Sequence, residues 1–118
     1  MGYQLDDLLK KEVISGPESV NADYTTDSVF IGNREMEYSI QATYDSGTNV
    51  DMEWVLQASN DNSTWADVTD SNQTFTDAAG SILYDMAGSG FLYVRVKIVV
   101  TTGDISLTRV LYTGMRRH

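Results

Sequence analysis

The sequence predicts an all-β domain: an antiparallel β-sandwich or jelly roll of seven to eight strands, with a short N-terminal helical or extended arm. Three observations predict it. From about Ser28 apolar residues recur with a period of two, the mark of half-buried strands. The runs are short and separated by clusters of Gly, Asn, Asp and Ser. The single proline, Pro17, lies outside all of them, as central strands require. We divide the chain into an arm, residues 1–22, and a sandwich, residues 23–118, with no linker and no solenoid repeat.

In the arm, Leu5, Leu8, Leu9 and Val13 fall at helical spacing, with Asp6 and Asp7 early and Lys10 and Lys11 late, the polarity a helix dipole favours. "SGP" at Ser15 to Pro17 then breaks the pattern. A helix this short is marginal alone. Burying its four apolar side chains would contribute about 6–10 kcal/mol, and ordering a dozen residues costs a comparable amount. It therefore needs a surface. The expectation is a neighbouring subunit, giving a homo-oligomer; docking on its own sandwich is the alternative.

The sandwich begins with "REMEYSIQATY", in which Met36, Tyr38, Ile40, Ala42 and Tyr44 alternate with polar residues. "DSGTN" turns the chain into "VDMEWVLQAS", where Val50, Met52, Trp54, Leu56 and Ala58 share one face. These two runs are expected to pair as a hairpin. Shorter pieces follow at Trp65–Thr69, Gln73–Thr76 and Ser81–Met86. "GFLYVRVKIVV" comes next, and "TTGD" turns it into a closing strand, "ISLTRVLYTG". The predicted core includes Met36, Tyr38, Ile40, Trp54, Leu56, Val94, Val96 and Ile98, with Glu35, Glu37, Asp51 and Glu53 facing water.

Composition excludes several functions. Seventeen Asp and Glu stand against eight Lys and Arg, and apart from Lys10-Lys11 and Arg116-Arg117-His118 the basic residues are scattered, so the basic stripe that nucleic acid demands is missing. There is no cysteine, hence no disulfide, thiolate metal site or thiol nucleophile. No apolar run approaches the ~20 residues that cross a bilayer, and no membrane association is expected. Acidic residues stand where a secretory signal would be cationic and then apolar, so no signal peptide is expected.

Chemistry has little to work with. The one histidine is His118, with nothing after it to orient it, and a serine nucleophile needs a base. Glu35/Glu37 and Asp51/Glu53 read as the solvent faces of strands rather than as glycosidase pairs. "SNDNS" suits a turn, because Asn and Asp tolerate left-handed backbone and bond to their own chain. Asp61, Asp67, Asp70 and Asp77 lack the spacing and the glycine of a calcium loop. Trp65, just after that turn, is expected to fold into the core. Asn62-Ser63-Thr64 and Asn72-Gln73-Thr74 mark polar loops only. "AGSGF" at Ala87 to Phe91 precedes a strand, not the helix a phosphate cradle uses. No cofactor, no metal and no enzyme activity are expected. Tyr24, Phe30, Tyr84, Tyr93 and Tyr112 could stack on sugars or fill contacts.

The strings "MEYSIQATYDSG", "DMEWVLQASNDNSTWADV" and "GFLYVRVKIVV", within Val29 to about Gly114, resemble a pattern of bacteriophage virion proteins. In that pattern a strand ending in "QASND" leads to a tryptophan turn, and a "YVRV" strand follows later. The resemblance implies a small accessory β-sandwich of the particle, located in the virion after synthesis in host cytoplasm. A capsid decoration or cement protein heads that list, with the major capsid protein or another virion protein as partner. Similar tryptophan turns occur in carbohydrate-binding and discoidin-like sandwiches. A carbohydrate- or receptor-binding module of a phage tail or surface protein, with a glycan ligand, is therefore the alternative. Such virion families carry no catalytic residues. The candidate partner-binding residues are Leu5, Leu8, Leu9, Val13, Tyr24 and Phe30.

Overall fold

The computed structural model describes residues 9–31, 35–87 and 92–116, with the backbone alone at 9–10, 35–37, 86–87 and 115–116. All regular structure among them is strand. Five long strands carry the architecture: β1 (Leu9–Ser15), β5 (Glu35–Tyr44), β6 (Thr48–Ser59), β9 (Gly80–Ala87) and β10 (Tyr93–Arg116). Five pieces of two or three residues patch the sheet: β2 (Glu18–Val20), β3 (Tyr24–Thr25), β4 (Val29–Phe30), β7 (Ala66–Asp67) and β8 (Gln73–Thr74).

One strand organises the rest. β10 runs for 24 residues and joins two sheets. Its first half pairs antiparallel with β6 on one side and with β3 and β4 on the other, making the back sheet that β7 and β8 extend. Its second half pairs antiparallel with β5 on one side and with β1 and β2 on the other, making the front sheet that β9 closes. The expected break at "TTGD" is a bend inside a continuous strand. The register against β6 slips between Val100, Thr102 and Asp104. Gly103 turns there at φ +89°, where a Cβ would lie 2.5 Å from the carbonyl oxygens of Thr48 and Asn49. Only glycine takes that backbone without strain.

The expected all-β antiparallel sandwich is therefore present, with two corrections. The helix predicted over the first segment is absent from its described part. Leu9–Ser15 is a strand, paired from Leu9↔Met115 to Ser15↔Val110, and Ile14 is buried in the core. A waiting β10 edge, together with the adjacent β-branched Val13 and Ile14, outweighs helical spacing. Leu5 and Leu8 lie outside the described residues. The second correction concerns the hairpin. β5 and β6 do not pair with each other; they sit in opposite sheets, each hydrogen-bonded to β10. The three-residue link between them crosses the sandwich instead of closing a hairpin.

The core lies between the sheets, where the alternation predicts it. Tyr38, Ile40, Trp54, Leu56, Val94, Val96 and Ile98 are all buried, and Asp51 and Glu53 are exposed. The side chains of Glu35, Met36 and Glu37 lie outside the described set. Burial of polar atoms is matched by bonds. Trp54 donates its indole N–H to the Ser71 carbonyl at 3.0 Å, and the buried Ser71 hydroxyl accepts the Leu56 amide at 3.0 Å while donating to the Val68 carbonyl at 2.7 Å. Thr26 does similar duty between β3 and β4, accepting the Val96 amide at 3.0 Å.

Candidate interaction surfaces

The outer face of the back sheet carries a cluster built from three adjacent strands. Register places Asp67 of β7 beside Gln57 of β6, and Gln57 beside Arg95 of β10. Gln57 is buried and clamped at both ends of its amide: it donates to Asp67 at 3.0 Å and accepts Arg95 Nε at 2.9 Å. The Arg95 guanidinium then lies over the Trp65 ring, 4.1 Å from its centroid. Burial lowers the Arg95 pKa from its ordinary value. Trp65 is thus half-buried on the outside of the sandwich rather than in the core, a correction explained by cation–π stacking on a pre-positioned arginine. Along the same face Tyr93 and Lys97 flank Arg95, and Phe30 packs edge-on to Tyr93 with ring centroids 5.2 Å apart. The result is a cationic spot with aromatic neighbours on an otherwise acidic chain.

The loop before Trp65 is a turn, as its composition predicts. Asp61 accepts the backbone amides of Thr64 at 2.7 Å and Ser63 at 2.9 Å, and the Ser59 hydroxyl at 2.8 Å. Those bonds, the Thr64 amide foremost, hold its pKa down at about 2 against an ordinary 3.8. Asn62 adopts the left-handed φ of 59° that asparagine tolerates. Among the described residues, no three of His, Cys, Asp and Glu gather as a metal-binding group.

The outer face of the front sheet is different in character. Register aligns Val13, Leu111, Gln41 and Leu83 in one row across β1, β10, β5 and β9. Val13 and Leu83 are 54% and 56% exposed, large values for apolar side chains, while Leu111 and Gln41 are half-buried. The next row is Lys11, Thr113, Ser39 and Asp85.

The residues singled out from the sequence do not form one site. Val13 is on the front face. Leu9 starts β1, and its side chain is not among those described. Phe30, 52% exposed, belongs to the back face. Tyr24 is half-buried against the core, its hydroxyl 2.8 Å from Ser15 Oγ. Of the tyrosines weighed as sugar platforms, Tyr112 is wholly buried and tilts against Tyr38. Tyr84 packs partly into the core, which leaves Tyr93. Gly88 to Phe91 and His118 lie outside the described residues. Sequence reading missed the Asp67–Gln57–Arg95 clamp. Its only trace was Gln57, an uncharged polar residue on the outward face of β6, which the alternation reads simply as solvent-facing.

No family model and no curated protein matches the chain. Solved structures do. The SPBc2 prophage-derived protein YomS superposes with a TM-score of 0.60 at 17% identity, over 90% of this chain and 91% of its own. VP2 of infectious bursal disease virus, in its subviral particle, gives a TM-score of 0.61 at 9% identity over 92% of this chain. This chain spans about a third of VP2, 32% of its length. At such identities the likeness shows the fold: an antiparallel all-β sandwich of the jelly-roll kind.

Proposed function

We propose that this chain is a non-enzymatic virion structural protein, a capsid decoration or cement protein that stabilises its particle through protein–protein contacts. The fold carries the reading: the same sandwich, over nine-tenths of the chain, occurs in a prophage-derived protein and in VP2 of a viral particle. The surface supports it, since exposed Val13, Leu83 and Phe30 suit contacts with other chains. The partner is the major capsid protein or another virion protein, and the arm residues Leu5, Leu8, Leu9 and Val13 make the first contact, while Ile14 and Val20 of the same stretch stay in the core. Particles purified from a host carrying this gene, digested and quantified by mass spectrometry, should contain the chain in fixed ratio to the major capsid protein. Finding it abundant in the lysate but absent from particles would sink the proposal. Deleting residues 1–8 should leave the sandwich folded and reduce its retention on the particle; unchanged retention removes the arm from the contact.

A second reading has one observation in its favour: the Arg95 guanidinium held between Gln57 and Trp65, with Tyr93 beside it. An arginine fork next to aromatic rings suits a glycan, above all one bearing carboxylates. On a glycan array, sub-millimolar binding lost in the R95A protein would favour this module over the cement reading.

A further inference from the structure

The two edges of the front sheet are guarded very differently. β1, at one edge, carries Lys10, Lys11 and Glu12, and its register is broken by a bulge between Val13 and Ser15. Charges and bulges are the usual devices that keep an open edge from recruiting other strands. β9, at the opposite edge, has no bulge and almost no charge. It is "GSILYDMA", with one charge, no lysine, no proline and an unbroken register against β5 from Gly80 to Ala87. Among the described residues no strand meets its far side. An eight-residue edge left regular and nearly uncharged is a strand that expects a partner.

We propose that this partner is β9 of a second copy, added antiparallel about a two-fold axis through Leu83. The strand's own sequence selects the occupant and the register. Alternation allows only pairings that set inward residues against inward ones. With Leu83 opposite Leu83 of the second copy, Ile82 faces Tyr84 of the second copy, and Ser81 faces Asp85 of the second copy. The inward pairs are then apolar throughout, and Ile82 and Tyr84 already pack on the core, so the core continues across the axis. On the outer face the two exposed leucines cover each other, and no carboxylate meets a carboxylate. The row Val13, Leu111, Gln41, Leu83 runs on into its own mirror sequence. A two-fold contact of this kind is self-complementary and closed, so it stops at the dimer. The inference stands independently of the virion reading and uses a different surface from the arm.

Charge separates this arrangement from its main competitor. In a head-to-tail chain, β9 would pair with the guarded β1 edge of the next copy and set Asp85 against Lys11, an attraction that salt weakens. In the two-fold dimer no ion pair crosses the axis, while each copy carries a net charge of −9, so salt strengthens association by screening repulsion.

The test is sedimentation of the full chain across a concentration series at low and high ionic strength, with variants at sites exposed enough to leave the fold intact, checked by circular dichroism. The two-fold dimer predicts monomer–dimer equilibrium that tightens with salt, an L83K protein that stays monomeric, and a D85K protein that still dimerises. Because the chain has no cysteine, the L83C protein treated with diamide, which takes up the two electrons and two protons of the paired thiols, should give a disulfide-linked dimer. V13C, equally exposed, should give none. A wild type monomeric throughout at high salt, an L83K protein dimerising like the wild type, or association lost in D85K but kept in L83K would each overturn the proposal.

Discussion

Asp61 shows how much of a loop can rest on one carboxylate. Its bonds to the Thr64 and Ser63 amides and the Ser59 hydroxyl favour the ionised form and lower its pKa to about 2. A depressed folded value means that the contribution is complete above the unfolded pKa, 3.8, and is lost as pH falls through about 2. Melting temperatures of the wild type and the D61N protein should therefore differ by a constant amount above about pH 4 and converge toward pH 2. A gap that persists unchanged at pH 2 would contradict the assignment. Ser71 makes a sharper case, because it is wholly buried and its hydroxyl is the partner of the Leu56 amide. S71A strands that amide in the core and should cost about 1–3 kcal/mol in urea unfolding. Neither role was fully legible. The Asn-Asp-Asn run announces its turn through local chemistry, but Ser71 sits in a stretch whose sequence gives no sign of burial. Its importance comes from a partner fifteen positions away in the chain.

The strands show where period-two reading succeeds and where it stops. Tyr38, Ile40, Trp54, Leu56, Val94, Val96 and Ile98 alternate because one face of each strand meets the opposite sheet, and this information is local. Pairing partners are not local. A short polar link between two good strands is read as a hairpin, yet β5 and β6 both prefer β10, which lies some forty residues further on. Of the helical and extended alternatives for the arm, the described part takes the extended one for a related reason. Leucine spacing at 5, 8 and 9 matches a helix, and only the free edge of β10 makes residues 9–15 a strand. Trp65 was misplaced because its partner, Arg95, is contributed by another strand. The bend in β10 is the element most exposed to a single change. G103A forces a Cβ onto the Thr48 and Asn49 carbonyls at a positive φ and should cost at least about 1–3 kcal/mol, the range for a strained non-glycine residue. An unfolding midpoint equal to that of the wild type would show that the bend relaxes at no cost.

At the scale of the whole molecule, two sheets depend on one strand. Removing β10 beyond Asp104 would unpair β1, β2 and one side of β5, and would uncover Ile14, Val20 and Ala42. A chain ending at Asp104 is expected to show no cooperative thermal transition, in contrast to deletion of residues 1–8, which leaves every described pair in place. A cooperative melt in the truncated protein would mean that the back sheet folds alone. The acidic surface acts at the same scale. It opposes every self-contact uniformly, so specific contacts have to arise at the few sites, such as Leu83 and Val13, where apolar surface is left open.

The position of β10 in the chain also sets a timetable. It is the last of the described strands in the order of synthesis, and all six of its ladders join it to strands made earlier, while β9 must wait for β5 to be fixed by it. On the ribosome, the first ninety or so residues can therefore form little beyond local turns, and Trp54, Leu56 and Ile40 stay wet until the late strand emerges. A nascent chain of this design is a client for holding chaperones up to that point, and it folds as one event afterwards.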